Sequence, residues 1–450
     1  MVKRLKKGYD IALIGKPAEK IAGSIHSDTY CFKPTDFKGI SRPKVLVNEG
    51  DIVKAGTPIF VDKRNEKAVF TSPVSGEVVA IIRGEKRVPL EIKILADKTT
   101  EYVVFPQQNP SSLSSEQIKN TLLESGVWIN LLERPFGLVP NPENTPKNIF
   151  ISCFDTSPLA PDYEFIFKDE LKYLQAGIDA LSKLFNPSQK GKVVLGTKEK
   201  SIFKNLKGVE THEFSGPHPA GNVGVQIHHT YPINKGEIVW TTTPYGLQQI
   251  GRLFLDGKYD ARKVIALAGS EVKTPQYYEV TAQTCINKLV EGNIKPEKNV
   301  RYISGNVLTG EKLAKDGYLG YYANMITVIP EGNYYEFFGW IAPSANKISF
   351  SRALGLFSFL TPKKARVADT NMHGEERAFV QTGEFEKVVP MDILPAFLLK
   401  AIVANDYEGM EDLGIYEVLE EDFALCEFID VSKIEVQSLL REGMNALMES

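Results

Sequence analysis

Four of the six histidines fall between His212 and His229, in a run rich in Ser, Gly and Pro: His212-Glu213-Phe214-Ser215-Gly216-Pro217-His218-Pro219-Ala220-Gly221-Asn222-Val223-Gly224, then His228-His229. Several chemistries are open to that composition. The run follows a strand-like segment, and Pro219 suits the first turn of a helix whose free N–H groups could face an anion. Its glycines are too widely spaced for the tight G-x-G-x-x-G turn of a dinucleotide site. Zinc needs converging ligands, whereas adjacent His228 and His229 would point about 100° apart on a helix, with no carboxylate pair at matching spacing. The remaining reading is a shaped interdomain loop, with glycine for close backbone approach and histidines as hydrogen-bonding ends.

Elsewhere the chemistry is sparser. No nucleophile elbow, P-loop or H-E-x-x-H occurs. Asp155-Thr156-Ser157-Pro158-Leu159-Ala160 follows a strand-like segment, where open α/β sheets bind ligands, and equally reads as turn chemistry. Cys31, Cys153, Cys285 and Cys426 lie more than a hundred residues apart, without a C-x-x-C or an iron–sulfur run, and read as reduced structural thiols. Aromatics concentrate at Tyr318, Tyr321, Tyr322, Tyr334, Tyr335, Phe337, Phe338 and Trp340, which suits sheet core better than an apolar ring site.

The elements that must position these groups follow from periodicity. Between Pro43 and Ile94, short β-rich segments alternate with Gly- and Pro-bearing turns, as in a small sandwich or barrel. The wording V-x-E-G-D-x-V-x-x-G, then S-P-V-S-G-x-V, resembles the biotinyl/lipoyl-type barrel-sandwich hybrid. That family carries its prosthetic group on a hairpin lysine, typically beside Met; here the tip holds Lys63 and Lys67 without Met, so a structural module is expected. Ser114 and Gln117 form a capping box ahead of a helix that Gly126 stops. From Asn148, strand candidates 149–152, 192–196, 209–214, 237–241 and 263–268 alternate with helix candidates 169–185, 200–206, the region after Pro219, and 244–255. In the first helix Leu171, Leu174, Ile178, Leu181 and Phe185 share a face.

That rhythm predicts a multidomain α/β and α+β chain. Its units are a barrel-sandwich hybrid over 1–100, a linker with one helix over 101–147, and a Rossmann-like parallel sheet over 148–260. A β-grasp, soluble-ligand-binding module over 261–330, a β-rich segment over 331–388 and a C-terminal helical region over 389–450 complete it. With 450 residues, 43% apolar and 24% charged, the chain is neither disordered nor fibrous. No apolar run reaches the 18 or so residues that span a bilayer, and no secretory signal is evident, so a cytoplasmic chain is expected. Net charge is −3, but residues 1–100 hold 19 Lys+Arg against 12 Asp+Glu, while 405–430 hold ten acids and no base. This suggests a docking surface, or two solvated faces, rather than a nucleic-acid groove.

Six separated motifs carry a closer likeness: K-K-G-x-D at Lys6–Asp10, W-x-x-L-x-x-R-P-F at Trp128–Phe136, D-T-x-P-L-A at Asp155–Ala160, G-P-H-P-A-G at Gly216–Gly221, I-S-G-x-V-L-T-G at Ile303–Gly310 and P-M-D-I-L-P at Pro390–Pro395. In this order, and across essentially the whole chain, they closely resemble the A-subunit family of the sodium-translocating NADH:quinone oxidoreductases (Na+-NQR). The resemblance implies a peripheral subunit on the cytoplasmic face of a bacterial inner membrane. It would belong to a complex that passes electrons from NADH through flavins and iron centres in other subunits to quinone while sodium moves outward. Related Rnf-type C subunits, and the flavin-binding subunit of the proton-pumping NADH dehydrogenase, carry flavin or iron–sulfur ligands. Here the tail offers only Cys426 and the α/β part lacks flavin glycine spacing, so no catalytic, cofactor-binding or metal-ligating residue is expected. Capping of the membrane subunits is implied, with quinone near Phe32, Lys33, Arg134, Phe136, His218 and Gly221. The other readings are a ligand-free scaffold and a cluster-less Rnf C-like protein.

Overall fold

The computed structural model describes residues 2–40, 42–185, 190–296, 299–337, 347–351, 364–380 and 383–449. Among them no helix is long and apolar enough to cross a membrane.

Two short N-terminal strands, β1 (Lys3–Arg4) and β2 (Ala18–Ile25), pair with distant parts of the chain. The next seven build the small β-unit: β3 (Thr29–Phe32), β4 (Pro43–Val45), β5 (Ile52–Val53), β6 (Pro58–Asp62), β7 (Asn65–Thr71), β8 (Gly76–Arg83) and β9 (Pro89–Ala96). They form a four-stranded sheet, β3-β9-β8-β5, and a three-stranded sheet, β4-β6-β7. Phe32, Phe60, Phe70, Val78, Ile92 and Ile94 fill the space between, with Phe60 stacked on Phe70 at 4.3 Å. Turn chemistry closes the strands: the Asp51 carboxylate accepts the Asn48 N–H at 2.7 Å.

Helix α1 (Ser115–Glu124) opens on the expected capping box, Ser114 with Gln117. The segment after it is not a bare linker. It contains β10 (Leu132–Arg134), which runs antiparallel to a strand of the central sheet, and Trp128 packs edge-on against Trp240 at 5.3 Å. The central sheet then follows the predicted alternation: β11 (Ile149–Ser152), α2 (Tyr163–Phe167), α3 (Leu171–Leu181), β12 (Val193–Thr197), β13 (Glu210–Ser215), α4 (Val223–His228), β14 (Val239–Thr242) and α5 (Pro244–Asp256). The helix expected over 200–206 is a single 3-10 turn, Ile202–Asn205. Strand order is β1-β13-β12-β11-β14-β10, parallel throughout except for β10. The sheet of 148–260 therefore recruits one strand from each of two segments that the sequence assigns elsewhere.

A second mixed sheet, order β18-β17-β19-β15-β16-β2, combines β15 (Arg262–Ala268), β16 (Gln276–Thr281), β17 (Val300–Ser304), β18 (Glu311–Leu313) and β19 (Met325–Pro330) with β2; α6 (Asn287–Val290) lies between β16 and β17. β2 is exposed at nearly every residue, so it shows no apolar alternation by which sequence could place it. The stretch 331–388, expected to be β-rich, carries no strand over its described residues. β19 ends at Pro330, which cannot extend a ladder, and Tyr334, Tyr335 and Phe337 are exposed rather than core. Phe338 and Trp340 lie outside the described residues. Helices α7 (Pro395–Val403), α8 (Tyr407–Asp412), α9 (Ala424–Ile429) and α10 (Val436–Glu449) close the chain. Their apolar faces, including Leu398, Leu399, Met410, Leu440 and Met444, belong to the same continuous core as the central sheet.

Candidate functional site

The chain order reverses between β11 and β14: β12 and β13 lie on one side of β11, β14 on the other. A crevice must open beyond the carboxyl ends of these two strands, where open parallel sheets bind ligands. A cleft of about 250 Å³ lies there, lined by Ser152, Thr241 and Thr242 at the strand ends and by Arg134 from β10. Asp155, Ser157, His218, Gly221 and Asn222 complete the wall from the two loops that follow β11 and β13. Leu308 and Thr309 reach it from the β17–β18 connection, Tyr322 from just before β19, and Leu419 and Glu421 from the C-terminal region.

The loops around His218 are fixed by interlocking hydrogen bonds. The Ser152 hydroxyl lies 2.7 Å from the Gly221 carbonyl and accepts from the Gln226 amide at 2.8 Å. Thr156 Oγ1 accepts the Gly221 N–H at 2.9 Å and lies 3.1 Å from His218 Nδ1. A Cβ at Gly221 would stand 2.7 Å from the Thr156 nitrogen, so only glycine allows this approach. Asp10 Oδ1 accepts the His218 N–H at 2.8 Å, and the His218 carbonyl accepts from Tyr9 N–H at 2.8 Å. The K-K-G-x-D motif thus braces the G-P-H-P-A-G loop. His218 is 4% exposed, and burial lowers its pKa against the opposing pull of Asp155 and Asp10, which leaves a neutral imidazole. The Thr156 hydroxyl and His218 Nδ1 share one hydrogen bond, in which either atom can be the donor. Asp155 does serve as turn chemistry, accepting the Ser157 N–H at 2.7 Å, while also lining the cleft.

Arg134, 1% exposed, sits opposite with its charge committed: Nη2 to Glu421 at 2.7 Å and Nη1 to Asp422 at 3.3 Å. Asp422 also accepts from Leu419 N–H at 3.1 Å and from the Asn222 amide at 3.3 Å. Burial raises the Asp422 carboxyl, with Arg134 pulling against it. Among the described residues, the buried Arg134 Nε and the Ser157 hydroxyl at the cleft have no hydrogen-bond partner. The other histidines of the run are occupied: His212 by Glu210, His228 by Glu417 and the Asp392 N–H, His229 by the Pro390 carbonyl. No group of three or more potential metal ligands occurs among the described residues.

Of the six residues expected near a quinone, Arg134, His218 and Gly221 come together in this cleft. Phe32 does not; it is fully buried in the small β-unit against Phe37 and Phe60. Lys33 pairs with Asp36 at 3.2 Å, and Phe136 packs edge-on against Tyr416 at 6.0 Å, both away from the cleft lining. Sequence reasoning missed the acceptor role of Thr156, the brace from Asp10, and the wall from Leu308, Tyr322 and Glu421. The signal was in the motifs themselves. Those at 128–136, 155–160, 216–221 and 303–310 line the cleft, that at 6–10 braces it, and Pro390 and Asp392 of the sixth hold the two histidines at the end of α4.

Three family models match in order: the NqrA N-terminal barrel-sandwich hybrid domain at residues 3–97, the NqrA second alpha/beta domain at 113–259, and the NQRA C-terminal domain at 264–315. The chain is 39% identical over 448 residues to the A subunit of the Na(+)-translocating NADH-quinone reductase of Haemophilus influenzae, covering 98% of each chain. The corresponding protein of Rhodopirellula baltica is 36% identical over 453 residues, with 99% of this chain and 98% of the relative covered. That of Neisseria meningitidis is 36% identical over 448 residues, with 99% of each covered. A chain that matches these relatives from end to end and these domains in order belongs to the NqrA family, the A subunits of the Na(+)-translocating NADH-quinone reductases.

Proposed function

We propose that this chain is a cofactor-free peripheral subunit that caps the membrane subunits of a sodium-translocating NADH:quinone reductase on the cytoplasmic face, and that its cleft contributes to the quinone site. The complex would couple NADH oxidation and quinone reduction to sodium export, with flavins and iron centres held by partner subunits. On this reading the central sheet is Rossmann-like and the 261–330 unit β-grasp-like, both without a carrier. Carboxylates support the absence of a dinucleotide: Asp155 and Glu421 stand in the crevice where a pyrophosphate would otherwise lie.

The observation that carries the quinone reading is the donor set. A quinone head is flat and neutral and offers two carbonyl acceptors, so its site needs apolar walls and a donor rather than a net charge. Arg134 is neutralised by Glu421 and Asp422. His218 engages Thr156 through Nδ1 and leaves Nε2 without a hydrogen-bond partner among the described residues, beside Leu308, Leu419 and Tyr322, so on this reading Nε2 carries the proton offered to the quinone. Titration of the assembled complex with a short-chain quinone tests this. His218→Leu should weaken quinone binding roughly 3- to 10-fold, the worth of one hydrogen bond, without changing NADH-driven flavin reduction. Unchanged quinone binding in His218→Leu, or a tightly held flavin in this purified chain, would contradict the reading.

A further inference from the structure

The β8–β9 hairpin carries a combination that the cleft does not use. Its tip reads Arg83-Gly84-Glu85-Lys86-Arg87-Val88-Pro89-Leu90, three cations against one acid. Arg83, Lys86 and Arg87 have no carboxylate partner among the described residues, in contrast to Lys93 on the same sheet, which pairs with Glu91 at 3.0 Å. The tip is nevertheless ordered by its own bonds: Gly84 N–H to the Val88 carbonyl at 2.8 Å, and Arg83 Nη1 to the Arg87 carbonyl at 3.2 Å. Apolar side chains flank these cations. Pairing of β8 with β9 skips Val79 on one strand and Leu90 on the other, and both skipped residues are exposed, as are Ile82 and Val88. Bulges re-aim side chains, and aliphatic side chains grouped on an exposed surface mark an interaction site.

We propose that this hairpin is a membrane-contacting tip, with Arg83, Lys86 and Arg87 meeting anionic phospholipid headgroups and Val79, Ile82, Val88 and Leu90 resting in the interface. Charge complementarity selects the occupant. Long, unpaired cations around aliphatic side chains match a fluid anionic surface, which needs no preset acceptor geometry. Because no described helix crosses a bilayer, such a tip is also a physical means for this chain to meet the lipid beside its partner subunits. The proposal is independent of the quinone reading.

Sedimentation of the full chain with lipid vesicles decides it. The chain should bind vesicles containing phosphatidylglycerol and not pure phosphatidylcholine, with affinity falling as salt rises. Lys86→Glu/Arg87→Glu, both at exposed turn positions, should weaken binding roughly 30-fold or more with an unchanged circular dichroism spectrum. Val79→Gln/Ile82→Gln should weaken the binding that persists at high salt. Equal affinity for the two vesicle types, or wild-type binding by the charge-reversed variant, would overturn the proposal. So would a charge-reversed variant that loses assembly with partner subunits while the wild-type chain ignores both vesicles, since the occupant would then be a protein.

Discussion

Glu420 shows how much one side chain can hold together. Its carboxylate accepts from Arg441 Nε at 2.7 Å and Nη2 at 2.8 Å, and Lys38 Nζ lies 2.8 Å away, so it ties the small β-unit to α10 one residue from the cleft wall. Burial opposes ionisation, but the paired Arg441 bonds and Lys38 outweigh it and hold the carboxyl down to about 2. A depressed carboxylate stabilises fully above its unfolded value, about 4.5, and loses that contribution as pH falls through its folded value. The shift corresponds to roughly 3 kcal/mol. Glu420→Gln should therefore destabilise the chain by roughly 2–3 kcal/mol at pH 7 in urea titrations, and by less than half as much near pH 3. A pH-independent difference would show that the ion pairs do not carry the link. At this scale the sequence was partly legible. Arg134 and His218 were singled out by residue type, but the engagement of His218 Nδ1 depends on Thr156, and the neutralisation of Arg134 depends on acids almost three hundred residues away. Neither partner has a local signature.

At the scale of elements, what could be read was what local pattern determines. The stripe of Leu174, Ile178 and Leu181 made α3, the capping box made α1, and the apolar runs 149–151 and 193–195 made β11 and β12. What could not be read were β1, β2 and β10, two to eight residues long, which become strands only because a distant edge accepts them. Over the described residues of 331–388 the aromatic composition did not become strand, because β preference expresses itself only where a partner strand is available. The start of α4 shows the same dependence. Gly224 looks like a loop glycine in the sequence, but a Cβ there would stand 2.2 Å from Asp422 Oδ2 and 2.6 Å from Arg134 Nη1. Gly224→Ala should cost about 1–3 kcal/mol and increase amide exchange selectively in residues 415–425, read by hydrogen-exchange mass spectrometry. Uniform protection across that segment would mean the helix start does not anchor the C-terminal region.

For the molecule as a whole, the six motifs span nearly four hundred residues, yet four of them line one cleft and a fifth braces it. The core is continuous from the central sheet into the C-terminal helices, so the acidic tail reaches that cleft as part of a shared body and supplies Leu419 and Glu421 to its wall. The small β-unit contributes charge and surface instead: its aromatic core is separate, and its outward hairpin is basic and apolar. On the function proposed above, such a body would offer a hydrogen-bond donor in a crevice and leave electron carriage to its neighbours. Photolabelling of the intact complex with a short-chain azidoquinone, followed by peptide mapping, tests that most directly. Labels within 152–157, 218–223 or 306–309, suppressed by excess unmodified quinone, are the expected result. Quinone-protected labels confined to other segments or to other subunits would contradict it.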